Sequence, residues 1–138
     1  MKKVDNLLES ALELAKILQT EEDSGKIDKK VKSDISSFGT AIQQCGLIPA
    51  VAMFSNTNSE SGKRNVKMLN LIYALLYGGI EGKTDEQLKS QPLLLQVVLN
   101  RENKTMSNTM RYETMQACIA LKLAVRTFKL EEVADAQS

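Results

Sequence analysis

The 138 residues contain no histidine and no tryptophan, and only two prolines, two cysteines, three tyrosines and three phenylalanines. Without histidine there is no imidazole general base, no Ser-His or Cys-His nucleophile pair, and nearly every zinc site of mixed ligands is removed. Cys45 and Cys118 stand 73 positions apart with no metal-ligand spacing, and each falls in an apolar helical pattern, so both are expected as reduced core thiols. So few aromatics give little support to a platform on which bases could stack. The longest strongly apolar run, Leu47 to Phe54, is far too short to cross a bilayer. Met1-Lys2-Lys3 runs straight into an amphipathic segment, so no cleavable leader is expected and a cytoplasmic location follows. Charge of one sign is also lacking. Eighteen basic residues against seventeen acidic ones argue against nucleic-acid binding by overall charge, but leave room for a local basic stripe. The one acidic cluster, Glu21-Glu22-Asp23, reads as a solvated helix end. An enzyme is therefore disfavoured, and no cofactor, metal or small-molecule substrate is expected.

What is present is helical periodicity. Val4, Leu7, Leu8, Ala11, Leu14, Ala15 and Leu18 repeat at the intervals of one helix face, predicting an amphipathic helix from about Lys3 to Glu21 that a turn at Gly25 ends. A second helix is expected from about Asp28 to Cys45, its seam made by Ile27, Val31, Ile35, Phe38, Ile42 and Cys45. Gly39 within it either admits a close helix crossing or is simply tolerated. Gly46 suits the position after a helix, and Pro49 the first turn of the next. The segment Pro49 to Ser55 is apolar nearly all round and is expected deep in the core. Residues 56–62 read as a polar loop. Lys63 to Tyr77 reads as a buried central helix with one polar line, Lys63, Lys67 and Asn70. Gly78-Gly79 ends it, and Thr84-Asp85-Glu86-Gln87 has the pattern of a capping box. Pro92 opens a helix from Leu93 to about Asn100, whose Val97-Val98 pair would admit a strand if any partner strand were in view. After a polar linker, residues 103–108, the last helix is expected from about Thr109 to Val133. The fold class is all-α: a compact bundle of about six or seven helices, forming one domain over residues 1–138.

On a helical wheel the last helix carries two apolar faces, one with Met110, Ala117, Leu121, Ala124 and Phe128, the other with Tyr112, Ile119, Leu123 and Leu130. Such a helix is expected to be wedged between neighbours. Between the faces Arg111, Lys122, Arg126 and Lys129 fall within about 60° of one another, with Glu113 and Glu131 nearly opposite. Charges sorted by side suit phosphate contact. Cations near a helix C-terminus also favour its macrodipole, and their long stems cover apolar surface, so periodicity alone leaves both readings open. Lys63 and Lys67, one turn apart, are the second candidate pair. Lys29, Lys30 and Lys32 share no face and are flanked by Asp28 and Asp34, which reads as solvated surface.

The run Ile35 to Phe54, a helix ending in Gly46-Leu47 followed by a small-residue helix with Ala50, Ala52 and Phe54, resembles the small helical subunit of the type III-B CRISPR (Cmr) effector complex. Arg111-Tyr112-Glu113-Thr114-Met115-Gln116-Ala117, leading to Leu123, Arg126 and Phe128, is similar to that family's last helix. The family often carries tryptophan there and this chain has Leu123 near that place, which keeps the related small subunit of the type III-A complex in view. The resemblance implies a non-catalytic subunit whose copies stack in a short filament beside the subunits holding the guide. It also implies partners: other effector subunits, copies of itself, and guide and target RNA, met through Arg111, Lys122, Arg126, Lys129, Lys63 and Lys67. A helical adaptor that binds only proteins is the alternative from another class.

Overall fold

The structure, a computed structural model, describes residues 4–100 and 105–131. Among the described residues seven α-helices follow one another: α1 (Val4–Ala15), α2 (Lys29–Cys45), α3 (Leu47–Met53), α4 (Glu60–Tyr77), α5 (Asp85–Ser90), α6 (Leu93–Asn100) and α7 (Thr105–Val125). The fold is an all-α bundle. Residues 1–3 and 101–104, and the end foreseen for the last helix at Val133, lie outside the described residues.

Local chemistry sets most of the boundaries. Asp28 caps α2, its side chain accepting from the Lys30 amide at 3.0 Å. Gly46 closes α2 in a left-handed conformation, φ 91°, its amide bonded to the Ile42 carbonyl. The capping box at α5 is complete: the Gln87 amide donates to Thr84 Oγ1, and the Thr84 amide donates to Gln87 Oε1. Ser59 caps α4 through the Gly62 amide, so α4 starts three residues before the expected Lys63 and takes in the end of the polar loop.

The core is one contiguous cluster drawn from all seven helices, with Phe38, Ile35, Ile42, Leu7, Met68, Leu69, Ile72, Leu94 and Leu121 fully or almost fully buried. Helix α2 runs antiparallel to α7. Arg111 reaches the Gln43 carbonyl, Gly39 faces Met115 and Cys118, and the Cys118 thiol bonds the Ile35 carbonyl at 3.4 Å. Gly39 therefore does sit at a helix crossing. A methyl group there would meet Cys118 Sγ at 3.7 Å and Met115 Cε at 3.9 Å, ordinary contact distances. Gly39→Ala is expected to raise stability by about 0.5–1 kcal/mol, because it removes backbone freedom from the unfolded chain at a site with room for the side chain. A urea melt checks the sign.

Several expectations are corrected. Helix α1 stops at Ala15 and passes through a 3₁₀ turn, Lys16–Leu18. Helix α3 buries Leu47, Ala50 and Val51 but leaves Met53 63% exposed, so only one of its faces enters the core. Cys45 is exposed, whereas Cys118 is buried, and burial pushes the Cys118 thiol up to about 11. Asn70 lies on no solvent-facing line. It is fully buried, and α5 and α6 cover it.

The largest correction concerns α7, which begins at Thr105 and ends at Val125. Arg126 to Phe128 form a turn, with Thr127 Oγ1 bonded to the Ala124 carbonyl at 2.7 Å. The chain then becomes a strand, β2 (Lys129–Glu131), paired in parallel with β1 (Lys26–Asp28) in the register Lys26–Lys129, Ile27–Leu130, Asp28–Glu131. Helical periodicity does continue through residue 130, but pairing with a segment a hundred positions earlier overrides it. Ile27 is fully buried in that ladder, and Phe128 and Leu130 pack against the core beside it.

Candidate nucleic-acid interface

Arg111 and Lys122 both project from the side of α7 that borders α2. Successive contacts along α2, from Gln43 through Gly39 to Ile35, match Arg111, Met115 and Cys118 on α7. One further turn brings Lys122 level with the first turns of α2. Its charge is felt at the Cys118 thiol, where it acts against the upward push of burial. The two cations are about 16 Å apart along the axis at 1.5 Å per residue. Arg111 is exposed and Lys122 half-buried, which fits a long stem laid on apolar surface with its charge in water.

Arg126 and Lys129 are exposed too, but neither is on the helix. Arg126 occupies the turn that follows α7, and Lys129 opens β2 directly beside Lys26. The four-residue stripe of the wheel thus resolves into a helical pair and a pair at the end of the bundle. That end also receives the N-terminal turn of α2 with Lys29 and Lys30, both of which have interaction partners. Helical spacing could not have united these residues, because the element that joins them is the parallel ladder. Lys26 is the residue that sequence reasoning missed, and no local signal marks it.

Lys63 and Lys67 stand apart from this surface. Lys67 is only 15% exposed at its side chain, and its ammonium donates to Asp85 Oδ1 at 2.6 Å. Lys89 binds the other oxygen of the same carboxylate at 2.8 Å. Burial acts to raise the Asp85 carboxyl, but the hydrogen bonds from Lys67 and Lys89 outweigh it and hold the group below its ordinary value. Lys63 is more exposed and lies 3.9 Å from Glu60. The remaining cation of that helix start, Arg64, pairs with Asp34 and ties α4 to α2.

The second apolar face of α7 is uncovered. Tyr112, Ile119 and Leu123 are 46%, 39% and 38% exposed, at steps of seven and four residues along one line. The helix is therefore not wedged on both sides: Ala117, Leu121 and Ala124 are buried, and the opposite line faces outward. Among the described residues no helix is long and apolar enough to cross a membrane, and no group of three His, Cys, Asp or Glu could hold a metal ion.

The family described as CRISPR-associated protein (Cas_Cmr5) matches residues 5–128, which span both stretches that carry the resemblance. No curated protein and no solved structure matches the chain.

Proposed function

The chain belongs to the CRISPR-associated Cas_Cmr5 family, and from that premise we propose that it serves as a non-catalytic small subunit of a type III-B RNA-guided antiviral complex. In this reading it works in the cytoplasm with other effector subunits and with copies of itself. Copies stack in a short filament, and each helps hold guide and target RNA. The observation that carries the RNA role is the line of exposed Arg111 and half-buried Lys122 along the α2–α7 border, continued past the helix end by exposed Arg126 and Lys129. A line of cations suits phosphate contact without sequence readout. Lys63, on α4 and apart from this line, would meet RNA as a separate contact, while Lys67 would first have to leave Asp85.

Charge reversal at Arg111 and Arg126 in the assembled complex tests this role. Two lost phosphate contacts should weaken target RNA binding roughly 25-fold at 0.1 M salt and flatten the salt dependence by about 1.4 in log–log slope. Unchanged affinity and slope in an intact complex would remove those residues as contacts.

A second reading, in which the subunit is an adaptor binding only protein, has an observation of its own. The outward line of Tyr112, Ile119 and Leu123 is an apolar surface of the kind protein partners cover, in a type III-B or an equivalent type III-A complex. Retention of partners after nuclease treatment, without any RNA crosslink to this chain, would favour it.

A further inference from the structure

We infer that the β1–β2 ladder builds a phosphate site for the RNA backbone, with Lys26 and Lys129 as its paired cations. The inference deepens the proposed RNA-holding role and rests on it.

In a parallel ladder, residues in register project to the same side, about 5 Å apart. Lys26 and Lys129 are in register and both are exposed, while Ile27 and Leu130, one position on, turn inward to the core. Two ammonium groups are thus held side by side on the outer surface. Like charges directly across a ladder are destabilising, so this pairing is unfavourable in the free chain and is relieved by an anion placed between them. The nearest carboxylate along β1 is already engaged, since Asp28 caps α2 through the Lys30 amide. Glu131 stands in register with Asp28 on β2, and the other edge of β1 is met by Gln19 and Thr20, which lead into Glu21-Glu22-Asp23. The cations continue instead toward α7, through Arg126 to Lys122 and Arg111. A linear polyanion can follow such a track from end to end, whereas a compact acidic protein patch would use only part of it.

The site exists only while β2 is docked. The Lys129 amide donates to the Gly25 carbonyl at 2.9 Å, and Phe128 and Leu130, on either side of Lys129, pack against the core. Undocking β2 would separate the two lysines without changing any charge on the chain.

That difference gives the test, made on the full chain with a labelled 20-nucleotide oligouridine RNA and fluorescence anisotropy. Lys26→Gln with Lys129→Gln should weaken binding about 25-fold at 0.1 M salt and lower the salt slope by about 1.4. Phe128→Ser with Leu130→Ser keeps every charge and should lose affinity by a similar factor. Leu130→Ser alone serves as a milder variant should the double one lose its helical circular dichroism. Parent-like binding by a folded, undocked variant would overturn the site. So would parent-like binding by the lysine variant, or parent affinity for polyglutamate equal to that for RNA. If the lysine variant is silent while Arg111 and Arg126 variants lose RNA in the assembled complex, the ladder site alone is lost and the wider reading stands.

Discussion

Asn70→Leu is expected to lower the unfolding free energy by roughly 3 kcal/mol, although leucine has the same branched heavy-atom outline as asparagine and suits a helix better. The side-chain amide nitrogen donates to the Leu88 carbonyl at 2.7 Å and to the Gln91 carbonyl at 2.9 Å. Its oxygen accepts from the Leu93 amide at 3.2 Å. One wholly buried side chain therefore satisfies the end of α5, the link and the start of α6, where a helix leaves carbonyls and amides without partners. Removing it leaves the Leu88 carbonyl without its partner, at about 1–3 kcal/mol where no water can reach it, and takes one of two partners from the Gln91 carbonyl and the Leu93 amide, which keep the 2.9 Å bond to each other. For a chain of this size the loss corresponds to a fall in Tm on the order of 10 °C. Thermal melting of the purified variant checks this. A fall of less than about 3 °C, equivalent to roughly 1 kcal/mol, would mean that α5 and α6 are held by packing alone.

Gly62→Ala is expected to destabilise by roughly 2 kcal/mol, with the opposite sign to the same substitution at Gly39. Both glycines lie within helices, where alanine is ordinarily worth up to about 1 kcal/mol more than glycine. At Gly62 the added methyl would sit 1.8 Å from the Asn56 carbonyl oxygen and 2.9 Å from its carbon. The obstruction is backbone, which cannot rotate aside as a side-chain tip can. The loop from Asn56 to Ser59 would have to lift, carrying with it the Ser59 cap on the Gly62 amide. Urea denaturation of the two variants in parallel isolates steric environment from helix propensity. A stabilised Gly62→Ala protein would show that the loop does not rest on α4.

These two residues also show which parts of the structure were legible. Capping boxes, glycine stops and helical apolar spacing are short-range signals, so α2, α5 and α6 stood where the chain's own pattern put them. Asn70 sits on a polar line with Lys63 and Lys67, and no local rule distinguishes an asparagine facing water from one clamping two helices eighteen or more positions away. Lys129 and Lys26 pose the same difficulty at greater range. The wheel placed Lys129 on a helix because its neighbours keep helical spacing, while its partner in space lies about a hundred positions earlier. Arg111 and Lys122 were read correctly as sharing a side, because that statement needs only the helix that carries both. Cys45 departs from its expected burial for a related reason: a seam of apolar spacing states which residues share a face, and not where that face ends.

The order in which the chain can assemble follows from the ladder. Helices close over a few residues, but β1 and β2 can meet only after everything between Asp28 and Lys129 has been folded back on itself. The ladder is therefore a late step, and it joins three residues to three, a small gain set against a long loop. Its amides should be among the first in the protein to exchange with solvent, ahead of those of α4 and of the α2–α7 seam. A chain that carries the paired lysines side by side has thereby completed its fold, so a partner that grips them selects finished subunits over unfinished ones.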